Sequence, residues 1–168
     1  MTQLKLRQRL LSIGEDYDVT DAAGKPRYKV DGKVLRIRET FVIENTEGQE
    51  VGTVKQKLVA LRRTMIVTRG GREIATIRKA LIAPFRDKWM IDVEDGKDLT
   101  ATGNILDHEY TVRRDDDTIA TISKRWFTIR DTYGVDIRDG EDEALIVAIV
   151  VAIDEMVHDP DEEERDKK

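Results

Sequence analysis

A run of ten apolar residues, Ala144 to Ile153, constrains this chain of 168 residues more than any other feature. A helix built from such a run has no polar side and must be buried. Ten residues rise only ~15 Å, about half of a ~30 Å hydrocarbon core, so burial in protein is the better reading than a membrane span. The pattern predicts a helix over 142–158. Glu141, Asp142 and Glu143 stand at the positive end of its dipole, and Asp139-Gly140 turns the chain into it. The remainder of the chain must therefore enclose a rod.

The enclosure is written as a repeat. A bulky residue, a spacer and Val or Ile recur six times, at Tyr17/Val19, Phe41/Ile43, Met65/Val67, Trp89/Ile91, Tyr110/Val112 and Tyr133/Val135. Successive bulky positions are 24, 24, 24, 21 and 23 residues apart. Four residues before each stands another apolar one: Ile13, Ile37, Leu61, Phe85, Leu106 and Ile129. Between the two lies a three-residue polar break. Alternating apolar positions rich in Val, Ile, Thr and aromatics mark half-buried strands. The polar breaks read as turns at one end of a sheet. Turns for the other end come from Ala22-Ala23-Gly24, Asn45 to Gly48, Gly70-Gly71, Asp95-Gly96 and Asp115 to Asp117. Two strands per unit and six units predict about twelve antiparallel strands.

Closing the sheet removes its edges. Twelve strands at ~4.8 Å spacing and ~40° tilt give a backbone diameter of roughly 24 Å, and a bore of roughly 12–14 Å once inward side chains are subtracted. An α-helix with side chains is ~10–12 Å across and fills that bore. The expected fold is thus all-β with one central helix: a closed, roughly twelve-stranded antiparallel barrel around the buried C-terminal segment. A single domain over 1–158 is expected. Residues 159–168, rich in acids, read as a disordered tail.

Several motifs sharpen this. Gly96-Lys-Asp-Leu99, Gly103-Asn-Ile-Leu-Asp-His-Glu-Tyr110, Ser123-Lys-Arg-Trp126, Asp131-Thr-Tyr-Gly-Val-Asp136 and Gly140-Glu-Asp142 resemble the LURP-one-related family. That family sits in the Tubby C-terminal-like superfamily with Tubby proteins and phospholipid scramblases. The resemblance covers about residues 3–159 and implies a twelve-stranded barrel around a hydrophobic C-terminal helix. Tubby domains bind phosphoinositide headgroups and scramblases are linked to calcium-dependent lipid movement, whereas most LURP-one-related proteins have no established activity, so the resemblance implies the fold rather than the function. The Tubby lipid-binding residues are not matched here one by one, nor is the acidic cluster that scramblases associate with calcium.

The polar breaks carry the candidate site. Arg38, Arg62, Arg86 and Arg130 occupy the first break position, with Arg63 and Lys88 beside them. If the breaks share one rim, these residues form part of a basic ring able to grip phosphates, to which Arg offers two parallel hydrogen bonds. The plain alternative is that each pairs with turn acids such as Glu15, Glu39, Asp87, Asp131 and Glu109. A second basic set, Arg7 and Arg9, Lys55 and Lys57, Arg78 and Lys79, Lys124 and Arg125, reads as a solvated outer face. His108 reads as a structural turn residue, Asp115 to Asp117 as a hairpin turn, and Trp89 and Trp126 as barrel packing.

Composition excludes some classes. Cysteine is absent, so disulfides, thiolate metal sites and Cys nucleophiles are excluded, which fits the cytoplasm as the expected location; a peripheral position at a membrane goes with the headgroup-binding reading alone. No signal pattern or transmembrane-length run is present. With 29 basic and 34 acidic residues interspersed and a net charge of −5, no nucleic-acid partner is expected. No phosphate-binding glycine loop, Ser nucleophile elbow or paired-His metal motif occurs. The expectation is a non-enzymatic, monomeric binding module for an anionic phospholipid headgroup or another polyanion, with no cofactor and no metal. The alternative is a structural or stress-related protein-interaction scaffold with an unknown protein partner.

Overall fold

The computed structural model describes residues 1–9, 16–32, 40–57, 60, 62–81, 87–125 and 132–157. Six strands form the first half: β1 Thr2–Arg9, β2 Asp16–Asp21, β3 Pro26–Gly32, β4 Thr40–Asn45, β5 Glu50–Gln56 and β6 Thr64–Arg69. The second half holds β7 Arg72–Lys79, β8 Asp87–Val93, β9 Leu99–Asn104, β10 Glu109–Arg114, β11 Asp117–Ser123 and β12 Thr132–Ile137. A single helix, α1, spans Glu143–Val157.

The strands close into an antiparallel barrel in which each pairs with its neighbours in sequence and β12 returns to β1. Closure sets Leu4 opposite Val135 and Leu6 opposite Tyr133, while on its other side Leu6 faces Val19 of β2. The N-terminal Leu-Lys-Leu-Arg is therefore a strand, not the helix its amphipathic spacing also allows. All twelve residues of the repeated triplets point inward, none more than 4% exposed. The period-2 pattern is the inner wall.

The helix occupies the bore. Ile146 to Ile153 are at most 1% exposed on every side of the helix, as ten apolar residues in a row require. Its start is built as the acids suggest. Asp142 is the N-cap: its carboxylate accepts the Leu145 N–H at 3.1 Å and its carbonyl accepts the Ile146 N–H at 3.0 Å. Gly140, at φ +85°, makes the preceding turn without strain.

The barrel also grips those acids directly. Arg69 forks onto Asp142 at 2.7 and 3.0 Å, and Arg114 onto Glu141 at 2.9 and 2.8 Å. Arg138 reaches Glu141 at 3.0 Å, while Arg27 and the Tyr28 hydroxyl donate to Glu143 at 2.8 and 3.1 Å. The Arg114 fork holds the Glu141 carboxyl below its ordinary range. Burial pushes the Asp142 carboxyl up, but hydrogen bonds from Arg69 and the Leu145 N–H outweigh it and keep it low as well. Groups with depressed folded pKa values add stability above the unfolded value near ~4 and lose it as pH falls through the lower folded value. The urea midpoint should accordingly drop on acidification below about pH 4. Glu141→Gln combined with Asp142→Asn should lower the neutral-pH midpoint and flatten that acid limb. An unchanged acid slope in the double variant would remove the clamp from the account.

Candidate functional site

Among the described residues, the segment before β6 and the β9–β10 turn lie at the C-terminal end of α1. Arg63 Nη1 donates to the carbonyls of Glu155 and Met156 at 3.5 and 3.4 Å. A cation on the last carbonyls complements the negative end of the helix dipole. Arg62 Nη1 donates to the Lys79 carbonyl at 3.0 Å and links the start of β6 to the end of β7. Arg62 makes no ion pair with a turn acid among the described residues. Lys88, half-buried on β8, likewise has no ion-pair partner among them. Glu109, one of the acids expected to pair with a break arginine, accepts from the Ser123 hydroxyl at 2.9 Å and the N–H groups of Lys124 and Arg125 at 3.0 Å, and lies 3.8 Å from Arg125 Nε. Arg38, Arg86 and Arg130 lie outside the described residues, so the full ring stands as a sequence expectation.

Two exposed leucines share this rim. Leu81 is 78% exposed and Leu106 63% exposed. They stand on either side of the start of β8. The Ala80 N–H next to Leu81 donates to the Lys88 carbonyl, and Gly103, just before the Leu106 turn, pairs with Asp87. Two interstrand spacings place the leucines ~10 Å apart with Lys88 between them. Leu106 fills the apolar position that precedes the break in every repeat. Its counterparts, Ile13, Ile37, Leu61, Phe85 and Ile129, lie outside the described residues.

Inside the same end sits a buried polar cluster that the sequence does not announce. Asp154, 7% exposed, accepts the Tyr17 hydroxyl at 2.6 Å and lies 3.6 Å from His108 Nε2. The His108 ring stacks on Tyr133 at 4.3 Å and 9°, and its backbone adopts φ +52°. Burial, and then the Asp154 charge, push the Tyr110 hydroxyl well above its ordinary pKa. The cluster ties β2, the β9–β10 turn and β12 to the last turn of the helix. The one clue in the sequence is that Asp154 ends the apolar run while Tyr supplies three of the six bulky positions. Trp89 is 1% exposed and packs in the core.

A second feature lies on the outer wall. A groove of about 610 Å³ crosses β1 to β4 between the β2–β3 and β4–β5 turns, floored by Arg7, Asp18, Lys29 and Glu44 with Lys5 at one end. No group of three or more His, Asp or Glu side chains among the described residues is placed to hold a metal ion. No helix among them is long and apolar enough to cross a membrane.

Barrel, plug and rim motifs agree with the comparison to known families, in which residues 2–154 match one described as LURP-one-related. The chain belongs to that family. A relative from Bacillus subtilis (strain 168), the uncharacterised protein YxjI, is 20% identical over 163 residues, covering 97% of this chain and 98% of YxjI. An X-ray structure of a protein from Arabidopsis thaliana superposes with a TM-score of 0.66 at 15% identity, covering 94% of this chain and 92% of that one. That likeness establishes the Tubby-like architecture as a shared fold.

Proposed function

We propose that this family member is a non-enzymatic binding module whose rim at the helix C-terminus docks on an anionic phospholipid headgroup, peripherally and without a membrane span. The observation that carries the reading is the pair of exposed leucines flanking Lys88. Apolar side chains beside cations suit the boundary between headgroups and acyl chains, where buried apolar area and attraction to anionic lipid add together. Each basic side chain near such a surface contributes ~1 kcal/mol, and a fully buried Leu ~1.5–3 kcal/mol. The sequence repeats the same pairing at Ile37-Arg38, Leu61-Arg62, Phe85-Arg86 and Ile129-Arg130. Arg62 has further N–H donors beyond the one aimed at the Lys79 carbonyl, since a guanidinium carries five.

Co-sedimentation with vesicles tests it. The chain should pellet with phosphatidylserine-containing vesicles, less so as salt rises, and not with pure phosphatidylcholine. Replacing Arg38, Arg62, Arg86 and Arg130 together by Ala should abolish pelleting while far-UV circular dichroism stays native. Leu81→Ser with Leu106→Ser should weaken it roughly tenfold or more. Equal pelleting by these variants and the parent chain would end the proposal, and so would absence of pelleting by the parent at low salt.

A further inference from the structure

We propose that the outer groove over β1 to β4 binds a short peptide with free termini, laid across the strands with its carboxylate at Arg7 and its ammonium at Glu44. The site is independent of the lipid-facing rim. Register carries the argument. Arg7 pairs with Asp18, Asp18 with Lys29, and Lys29 with Glu44, so one row on the outer face runs basic, acidic, basic, acidic across four adjacent strands. All four side chains line the same groove of about 610 Å³, inside the ~300–1,000 Å³ range of small-ligand sites.

The middle of the row is internally satisfied. Asp18 lies 3.4 Å from Arg9 Nε, and Lys29 lies 3.4 Å from Asp31. Its ends are not. Among the described residues neither Arg7 nor Glu44 has a hydrogen-bonded or ion-paired side-chain partner. The groove therefore presents an open positive end and an open negative end around a neutralised centre. A polyanion such as a phosphate cluster meets Asp18 and Glu44, and a polyamine meets Lys5, Arg7 and Lys29. Only a ligand with opposite charges at its two ends satisfies both.

Length narrows the class further. Three interstrand steps of ~4.8 Å separate the Arg7 and Glu44 backbones by ~14 Å. Side chains leaning inward shorten the gap, and an extended chain of three or four residues at ~3.3 Å per residue spans the rest.

Titration with tetra-alanine bearing free termini is the test, followed by backbone amide shifts of the full chain. Shifts should centre on Arg7, Asp18, Lys29 and Glu44. Acetylating the N-terminus or amidating the C-terminus should each weaken binding roughly fivefold or more. Arg7→Gln should matter for the free carboxylate and not for its amide, and Glu44→Gln for the free ammonium and not for its acetyl form. That matching of variant to cap is what a general surface effect does not produce. No shifts with any peptide, equal affinity for free and doubly capped peptide, or tighter binding of inorganic phosphate would each overturn the proposal.

Discussion

Ala148→Asp and Ile149→Asp should each give a chain that does not fold. Both positions are 0% exposed at the middle of α1, surrounded on every side by the inner wall. A carboxylate there has neither water nor a partner, and such a group costs several kcal/mol at minimum, tens in the idealised low-dielectric limit. The whole stability of a domain is only about 5–15 kcal/mol, so one such substitution is enough. Asp154 shows what tolerance requires. It is also buried, two turns or less further along the helix, but it receives the Tyr17 hydroxyl at 2.6 Å and faces His108. Asp154→Asn is therefore the contrasting variant: it should fold and lose stability on the order of 1–3 kcal/mol. Circular dichroism and urea titration separate the cases. A cooperative transition and native spectrum for either core Asp variant would mean that the helix is not the centre of the fold.

The helix and the wall were legible in the sequence for a geometric reason. A residue facing a closed interior must be apolar whichever strand carries it, so the constraint recurs once per hairpin and shows as Tyr17/Val19 through Tyr133/Val135. Ten consecutive apolar residues admit only a buried helix, and its width fixes the number of strands. Neither inference needs to know which strand touches which. The clamp at the helix start does need that knowledge. Arg27 and Glu143 are 116 residues apart, Arg69 and Asp142 are 73 apart, and only strand order and register bring them together. The sequence shows acids near a helix N-terminus, which the dipole alone accounts for, so the arginines facing them carry no local signal.

The rim divides the same way. Arg62 and Arg63 are adjacent in sequence, yet one donates across to the end of β7 and the other to the last carbonyls of α1. Repetition of a first-position Arg in the sequence does not assign the duty of each member. Leu106 holds the apolar position before the break, yet its side chain is exposed and the neighbouring Ile105, 2% exposed, takes the inward place. Turn geometry decided this: the His108 N–H donates to the Ile105 carbonyl at 3.0 Å, and that tight turn leaves Leu106 at the tip. An apolar residue kept at a turn tip is the reason the lipid reading attaches to this end of the barrel.

The turn that presents Leu106 depends on Gly103, and Gly103→Ala should be among the most damaging single-methyl changes in the chain. Gly103 adopts φ +145°, a region closed to side chains, and an added Cβ would sit 2.5 Å from the Glu109 carbonyl oxygen and 2.7 Å from Tyr110 Cα. Both contacts are backbone atoms, so no rotamer change relieves them. Moving β10 away is also blocked, because Gly103 is paired with Tyr110 on one side and Asp87 on the other within a closed barrel. Unfavourable dihedrals alone cost about 1–3 kcal/mol, and the clash adds to that, so a loss on the order of 3–5 kcal/mol is expected. Gly24→Ala and Gly48→Ala are suitable controls. Both positions have positive φ but open space around the missing Cβ, and each should lose only about 1 kcal/mol. If Gly103→Ala unfolds at the same urea concentration as those controls, close backbone approach is not what holds this turn. If it alone is severely destabilised, the same displacement should loosen His108 from Tyr133 and Asp154, coupling the outer turn to the buried end of the helix.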